Sequence, residues 1–128
     1  MKKLILFLSI TMVITVTSYA QAPQAFKYQA IARDASGNTL ADQAIVIKVN
    51  ILQGSQDGPV VFSETHQIQT NSFGLINIGI GKGEIRAGNF STINWGGNSH
   101  YVQIEMDPTG GTNYKFMGTA ELLSVPYA

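Results

Sequence analysis

Ala44 to Gln53 carries the clearest alternation in the chain: Ile45, Ile47, Val49 and Ile51 take every second position, with Val46, Lys48, Asn50 and Leu52 between them. Successive strand side chains point to opposite faces, so the isoleucine set predicts a core face. The same period runs through Phe26 to Arg33, with Phe26, Tyr28, Ala30 and Ala32 against Lys27, Gln29, Ile31 and Arg33. It runs again through His100 to Asp107, with Val102, Ile104 and Met106 against Tyr101, Gln103 and Glu105. Leu75 to Ile80 places Ile76, Ile78 and Ile80 on one face. Val60 to Thr70 is less clean, because Phe62, Glu64, His66 and Ile68 share a face. That mixture predicts either a bulge near Glu64 or a strand whose two ends serve different faces.

Turn formers punctuate these runs. Asp34 to Asn38 and Gly54 to Pro59 read as turns or loops. Asn71, Ser72 and Gly74 sit between two extended runs, so Gln69 to Gly81 reads as a hairpin at the centre of the domain. Glu84 to Ser99 is the longest irregular stretch, and Phe90, Ile93 and Trp95 are its large apolar groups. A loop of that length is expected to dock such side chains on the core edge. Asp107 to Thr112 reads as a hairpin connection, and Asn113 to Val125 as a last extended stretch broken near Gly118 and ended by Pro126. After residue 20 there is no sustained 3.6 period, capping box, heptad or internal repeat. Short strands and polar turns of this kind predict an all-β, two-sheet antiparallel β-sandwich.

The first 20 residues follow another rule. Lys2 and Lys3 precede an uncharged apolar run, Leu4 to Val16, and Ser18-Tyr19-Ala20 places small residues before a cut. This predicts a signal peptide over 1–20, removed after Ala20; the alternative cut after Ala22 would put Pro23 next to the scissile bond. The run is short for a spanning helix. The remaining 21–128 is read as a single β-sandwich domain, long enough to bury one core. The sequence holds no cysteine, so that core has no disulfide and no lipobox anchor.

Removing Lys2 and Lys3 leaves six basic residues against eight acidic, a formal charge of −2. No basic patch is visible, which argues against nucleic acid and anionic membrane surfaces as partners; no membrane insertion is expected once the signal is removed. His66 and His100, the two histidines, have no second His or Cys at ligand spacing. No metal or cofactor is expected. Gly79 to Gly83 superficially suggests a phosphate loop, but it lacks the spacing and a following helix. No G-x-S-x-G elbow and no D-x-D-x-D-G loop occur. Asn89-Phe90-Ser91 fits N-x-[ST], a pattern common by chance. Trp95 and Tyr101 have two readings: a glycan-stacking platform, or, for Trp95, a plug at the end of the sandwich.

Several short words carry a family resemblance. They include Phe26-Lys27-Tyr28-Gln29-Ala30, Ala32-Arg33-Asp34, Ile51-Leu52-Gln53-Gly54, Ser63-Glu64-Thr65-His66, Ile93-Asn94-Trp95 and the run Asp107 to Tyr114. Met117-Gly118-Thr119 and Leu122 to Ala128 complete the set. Together they resemble an N-terminal β-sandwich module of secreted proteins from Bacteroidetes-type bacteria, over about residues 23–128. In that family the module precedes fibre-like, collagen-like or repeat-containing segments. Gly37, Thr70-Asn71 and Gly74 also resemble carboxypeptidase-regulatory or transthyretin-like sandwiches. The resemblance implies a non-catalytic structural or adhesion module of an exported protein, secreted or at the cell surface, with the periplasm as the other destination. No catalytic residue transfers with it. The sequence stops at Ala128, where such proteins continue, so Glu121 to Ala128 is expected to be a junction. Its apolar Leu122, Leu123, Val125 and Tyr127 would meet a downstream module or another copy of the chain. A carbohydrate-binding module using exposed aromatics is the alternative reading.

Overall fold

The structure, a computed structural model, describes residues 25–123. The signal-peptide expectation over 1–20 and the residues after Leu123 lie outside that range. Among the described residues seven strands run in chain order: β1 (Phe26–Ile31), β2 (Ala44–Gln53), β3 (Val60–Gln69), β4 (Leu75–Ile80), β5 (Glu84–Gly88), β6 (His100–Asp107) and β7 (Lys115–Glu121). They form two antiparallel sheets: a small one, β1–β4, and a large one in the order β5–β3–β2–β6–β7. The described residues are all-β and sandwich-like.

The alternation of β2 is what builds the core. Ile45, Ile47, Val49 and Ile51 are fully buried, and Ile76, Ile78, Ile80, Val102 and Ile104 are buried with them. All nine sit where the period-2 pattern places them. Phe26, Tyr28 and Ala30 of β1 cover this layer from the small sheet as half-buried groups. β2 lies at the centre of the large sheet, paired on both edges with β3 and β6. Its outward residues Val46, Asn50 and Leu52 are therefore buried as well.

The segment around Asn71 is a crossover between sheets, not a hairpin. β3 is already paired on one edge with β2 and on the other with β5, so β4 has no edge of β3 to join. It pairs with β1 instead, Tyr28 opposite Ile78. The turn chemistry is as the sequence suggests. Asn71 Oδ1 accepts from the Phe73 and Leu75 N–H groups at 2.9 Å each, an Asx-type clamp. Gly74 has φ +79°, and a Cβ there would lie 3.2 Å from the Ala32 carbonyl oxygen and 3.2 Å from Thr39 Cβ. Both the backbone angle and the space call for glycine. Thr70 ties the corner to the entry of β2, accepting from the Gln43 N–H at 2.9 Å and donating to the Leu40 carbonyl.

β3 keeps its alternation across Glu64, and the irregularities fall beside it. One is at Val61, where the pairing with β2 steps from Ile51↔Phe62 to Leu52↔Val60. The other is in β5, where Ser63↔Ala87 is followed by Glu64↔Ile85. Glu64 therefore stays on the core face with no solvent exposure. The stretch read as irregular from Glu84 begins with β5 and continues as a short 3-10 turn, Phe90–Thr92, N-capped by Asn89. Phe90 and Trp95 do dock. Phe90 packs edge-on to Phe62 at 5.3 Å and to Trp95 at 5.5 Å between centroids, closing one end of the space between the sheets. In β7 the pairing skips Met117, between Ile104↔Gly118 and Glu105↔Phe116, which is the break expected near Gly118.

Candidate functional site

The polar side chains that could carry chemistry are mostly tied to the backbone of turns. Asp107 Oδ1 accepts from the Thr109 N–H at 2.8 Å and the Thr109 hydroxyl at 2.6 Å; Oδ2 accepts from the Gly111 and Asn113 N–H groups at 2.9 Å each. Those bonds, led by the Thr109 hydroxyl, hold its pKa below the ordinary carboxylate value. Asp34 does the same in its turn, accepting from the Ser36 and Asn38 N–H groups at 2.9 Å each, and the Asn38 backbone bond is the largest cause of its lowered pKa.

Glu64 is the most deeply placed of these groups. Its Oε1 accepts from the Gly81 N–H at 2.5 Å and its Oε2 from the Gly83 N–H at 2.7 Å. His66 Nε2 packs directly against the same carboxylate. The glycine segment that looks like a phosphate loop thus does hold an anion, an internal one. A Cβ at Gly83 would lie 2.3 Å from Glu64 Oε2 and 2.6 Å from His66 Nε2, so the close approach needs glycine. The clamp joins β3 to the turn between β4 and β5 across the two sheets. Its signal in the sequence is a charged residue within an apolar strand face, opposite a glycine-rich turn.

His100 is 1% exposed and packs at a tilt against Trp95, with 5.0 Å between ring centroids and 57° between ring planes. Neither of its ring nitrogens has a well-formed hydrogen bond among the described residues. Burial lowers its pKa, and the Asn98 backbone works in the opposite direction. Among the described residues no three His, Cys, Asp or Glu side chains gather as metal ligands, and no helix is long and apolar enough to cross a membrane.

Trp95 and Tyr101 do not share a surface. Trp95 is 9% exposed, within the aromatic cluster of Phe26, Phe90 and His100. Tyr101 follows the core-facing His100 on β6 and so projects from the outer face of the large sheet, half-buried. The arrangement fits the plug reading of Trp95 and leaves Tyr101 without its partner for a two-ring platform.

One open flank of the molecule lies where β1 and β7 each form an edge of their sheets; β4 and β5 form the opposite edges. Among the described residues β1 pairs only with β4, and β7 only with β6. Between the two edges runs an apolar slot of about 160 Å³ lined by Tyr28, Ala30, Ile47, Ile104, Met106 and Met117. A wider groove of about 330 Å³ touches it at Met106 and Met117 and is rimmed by Arg33, Asp34, Lys115 and Phe116. Burial against this flank raises the Tyr28 pKa. Ile31 at 39%, Phe116 at 64% and Met117 at 43% are the large apolar groups left in water here. Sequence reasoning gave no warning of Met117, whose placement depends on the bulge.

No curated protein and no solved structure matches the chain. A family model described as a domain of unknown function, DUF8740, matches residues 27–121, from the second residue of β1 to the last of β7. The chain belongs to the DUF8740 family.

Proposed function

We propose that this chain is a non-catalytic structural or adhesion module of an exported bacterial protein, secreted or at the cell surface, and that it meets its polypeptide neighbour through the β1–β7 flank. The observation that carries the reading is the coincidence of two strand edges, unpaired among the described residues, with the apolar slot between them and with the exposed Ile31, Phe116 and Met117. Bare edges and apolar patches are features that isolated domains avoid and interfaces use. The turn clamps point the same way: Asp34, Asn71 and Asp107 use their acceptors on their own loops, which suits a rigid spacer. Export rests on the leader pattern of residues 1–20. The crossover at Asn71 to Gly74, with a two-stranded sheet against a five-stranded one, supports the immunoglobulin-like or transthyretin-like description of the sandwich.

Light scattering at several concentrations tests the flank. The protein is expected to self-associate as concentration rises, and Met117→Lys, which drives a charge into the slot, is expected to abolish this. A strictly monomeric protein, or association untouched by Met117→Lys, would overturn the assignment.

A further inference from the structure

We propose that the outer face of the large sheet is a binding plate for a neutral, extended polysaccharide lying along β6 between Tyr101 and Tyr114. Tyr101, Gln103 and Glu105 alternate with the core residues of β6 and project together from that face. Beneath them Asn50, 5% exposed, donates from Nδ2 to Gln103 Oε1 and to Glu105 Oε2, at 2.9 Å each. Its Oδ1 accepts from the Ser63 hydroxyl at 2.8 Å. One buried amide therefore fixes two half-exposed polar heads from below.

The two heads keep unused capacity. Among the described residues the Gln103 amide N–H groups and Glu105 Oε1 have no protein partner. Side by side they offer donors and an acceptor, the complement of neighbouring sugar hydroxyls, each of which both donates and accepts. Heads already held in place lose little freedom on binding.

The aromatic rings flank this polar centre. Tyr101 lies at one end of the row. At the other, Tyr114 is half-buried, with the Lys48 ammonium 5.2 Å from its ring centroid. Four residue steps along β6 lead from Tyr101 to Glu105, about 13 Å of strand. That is room for a chain of sugars and more than one ring needs. Lys48 and Glu105 are cross-strand neighbours of opposite charge, and Glu121 stands opposite Tyr101. The face thus has no excess of cation, and its carboxylates disfavour acidic sugars.

This inference goes beyond the structural reading and uses the outer face of the large sheet, which meets the β1–β7 flank at Phe116, opposite Glu105; Met117→Lys tests the flank and the plate variants test this face, so the two fail separately. Affinity electrophoresis of the full chain through gels containing β-glucan, xylan, galactomannan or polygalacturonate tests it, followed by calorimetric titration with hexasaccharides of the neutral polymers. At least one neutral polymer is expected to retard the protein. Tyr101→Ala and Gln103→Ala are each expected to weaken binding about tenfold. Phe73→Ala, in the exposed crossover turn, is the control and is expected to bind as the parent does. Should Tyr101→Ala fail to fold, Gln103→Ala and Tyr114→Ala carry the test. No retardation by any neutral polymer, preference for polygalacturonate, or parental affinity in the folded plate variants would overturn the proposal.

Discussion

Glu64→Gln is the sharpest test of how the two sheets are held together. The carboxylate has no solvent exposure and accepts from Gly81 and Gly83 through different oxygens. Gln is nearly isosteric but has only one oxygen, so one glycine N–H must face an NH2 group. A hydrogen bond to a charged group contributes roughly 1.5–3 kcal/mol, and an unmet buried donor costs roughly 1–3 kcal/mol. These overlap, because both describe the same N–H, so the expected loss is about 2–4 kcal/mol. For a domain of this size that lowers the thermal midpoint by roughly 10–25 °C. Urea and thermal unfolding give the magnitude, and amide exchange at Gly81 and Gly83 gives the location. Gly83→Ala attacks the same contact from the other side, since its Cβ would meet Glu64 Oε2 at 2.3 Å. A Glu64→Gln midpoint within about 3 °C of the parent, with exchange at both glycines unchanged, would refute the clamp.

Two further outcomes follow from the core. Ile47→Ala and Ile78→Ala, at 1% and 4% exposure, are each expected to lose roughly 2–5 kcal/mol in urea unfolding; unchanged midpoints would mean that the buried face is misassigned. His100 has a folded-state pKa below its unfolded value of about 6.5, so the unfolded chain takes up a proton first. Stability is therefore full above that value and falls as pH drops through it towards the folded pKa, with a limiting slope of about 1.4 kcal/mol per pH unit. His100→Phe is expected to flatten that part of a stability-against-pH curve, and an identical curve for parent and variant would contradict the buried neutral imidazole.

What the sequence made legible was local. The β2, β4 and β6 alternations depend only on neighbours in the chain, and each core residue they indicate is buried. Asp107 and Asn71 could be read as turn formers because their bonds reach only two to six residues ahead. The partner of β4 could not be read that way. A tight polar turn between two extended runs suits a hairpin and a sheet-to-sheet corner equally. The decision lies with β5, which occupies the edge of β3 that β4 would have taken. β5 itself was hidden because Glu84–Gly88 is five residues long and offers only two apolar side chains, Ile85 and Ala87, too short an alternation to stand out from a loop.

The candidate surfaces divide along the same line. Trp95 and Tyr101 are six residues apart and both aromatic, which is enough to suggest a platform and says nothing about which side of β6 each ring takes. His100, between them, settles it: a buried residue at the head of the strand puts Tyr101 on the opposite face. From there the residues that meet Tyr101 on its own face come from other strands, Leu52 from β2 and Glu121 from β7, with Gln103 two positions along β6. Asn50 is the telling case. In the sequence it is a polar position on the outward side of β2, where water would be its natural partner. In the fold it is covered, and its amide is shared among Ser63, Gln103 and Glu105, which come from two different strands. A polar group buried on the outer face of a sheet is stable only while all its bonds are made, so this network fixes the side chains above it in one arrangement. That rigidity separates the outer face from an ordinary solvated sheet surface, and no period along the chain encodes it.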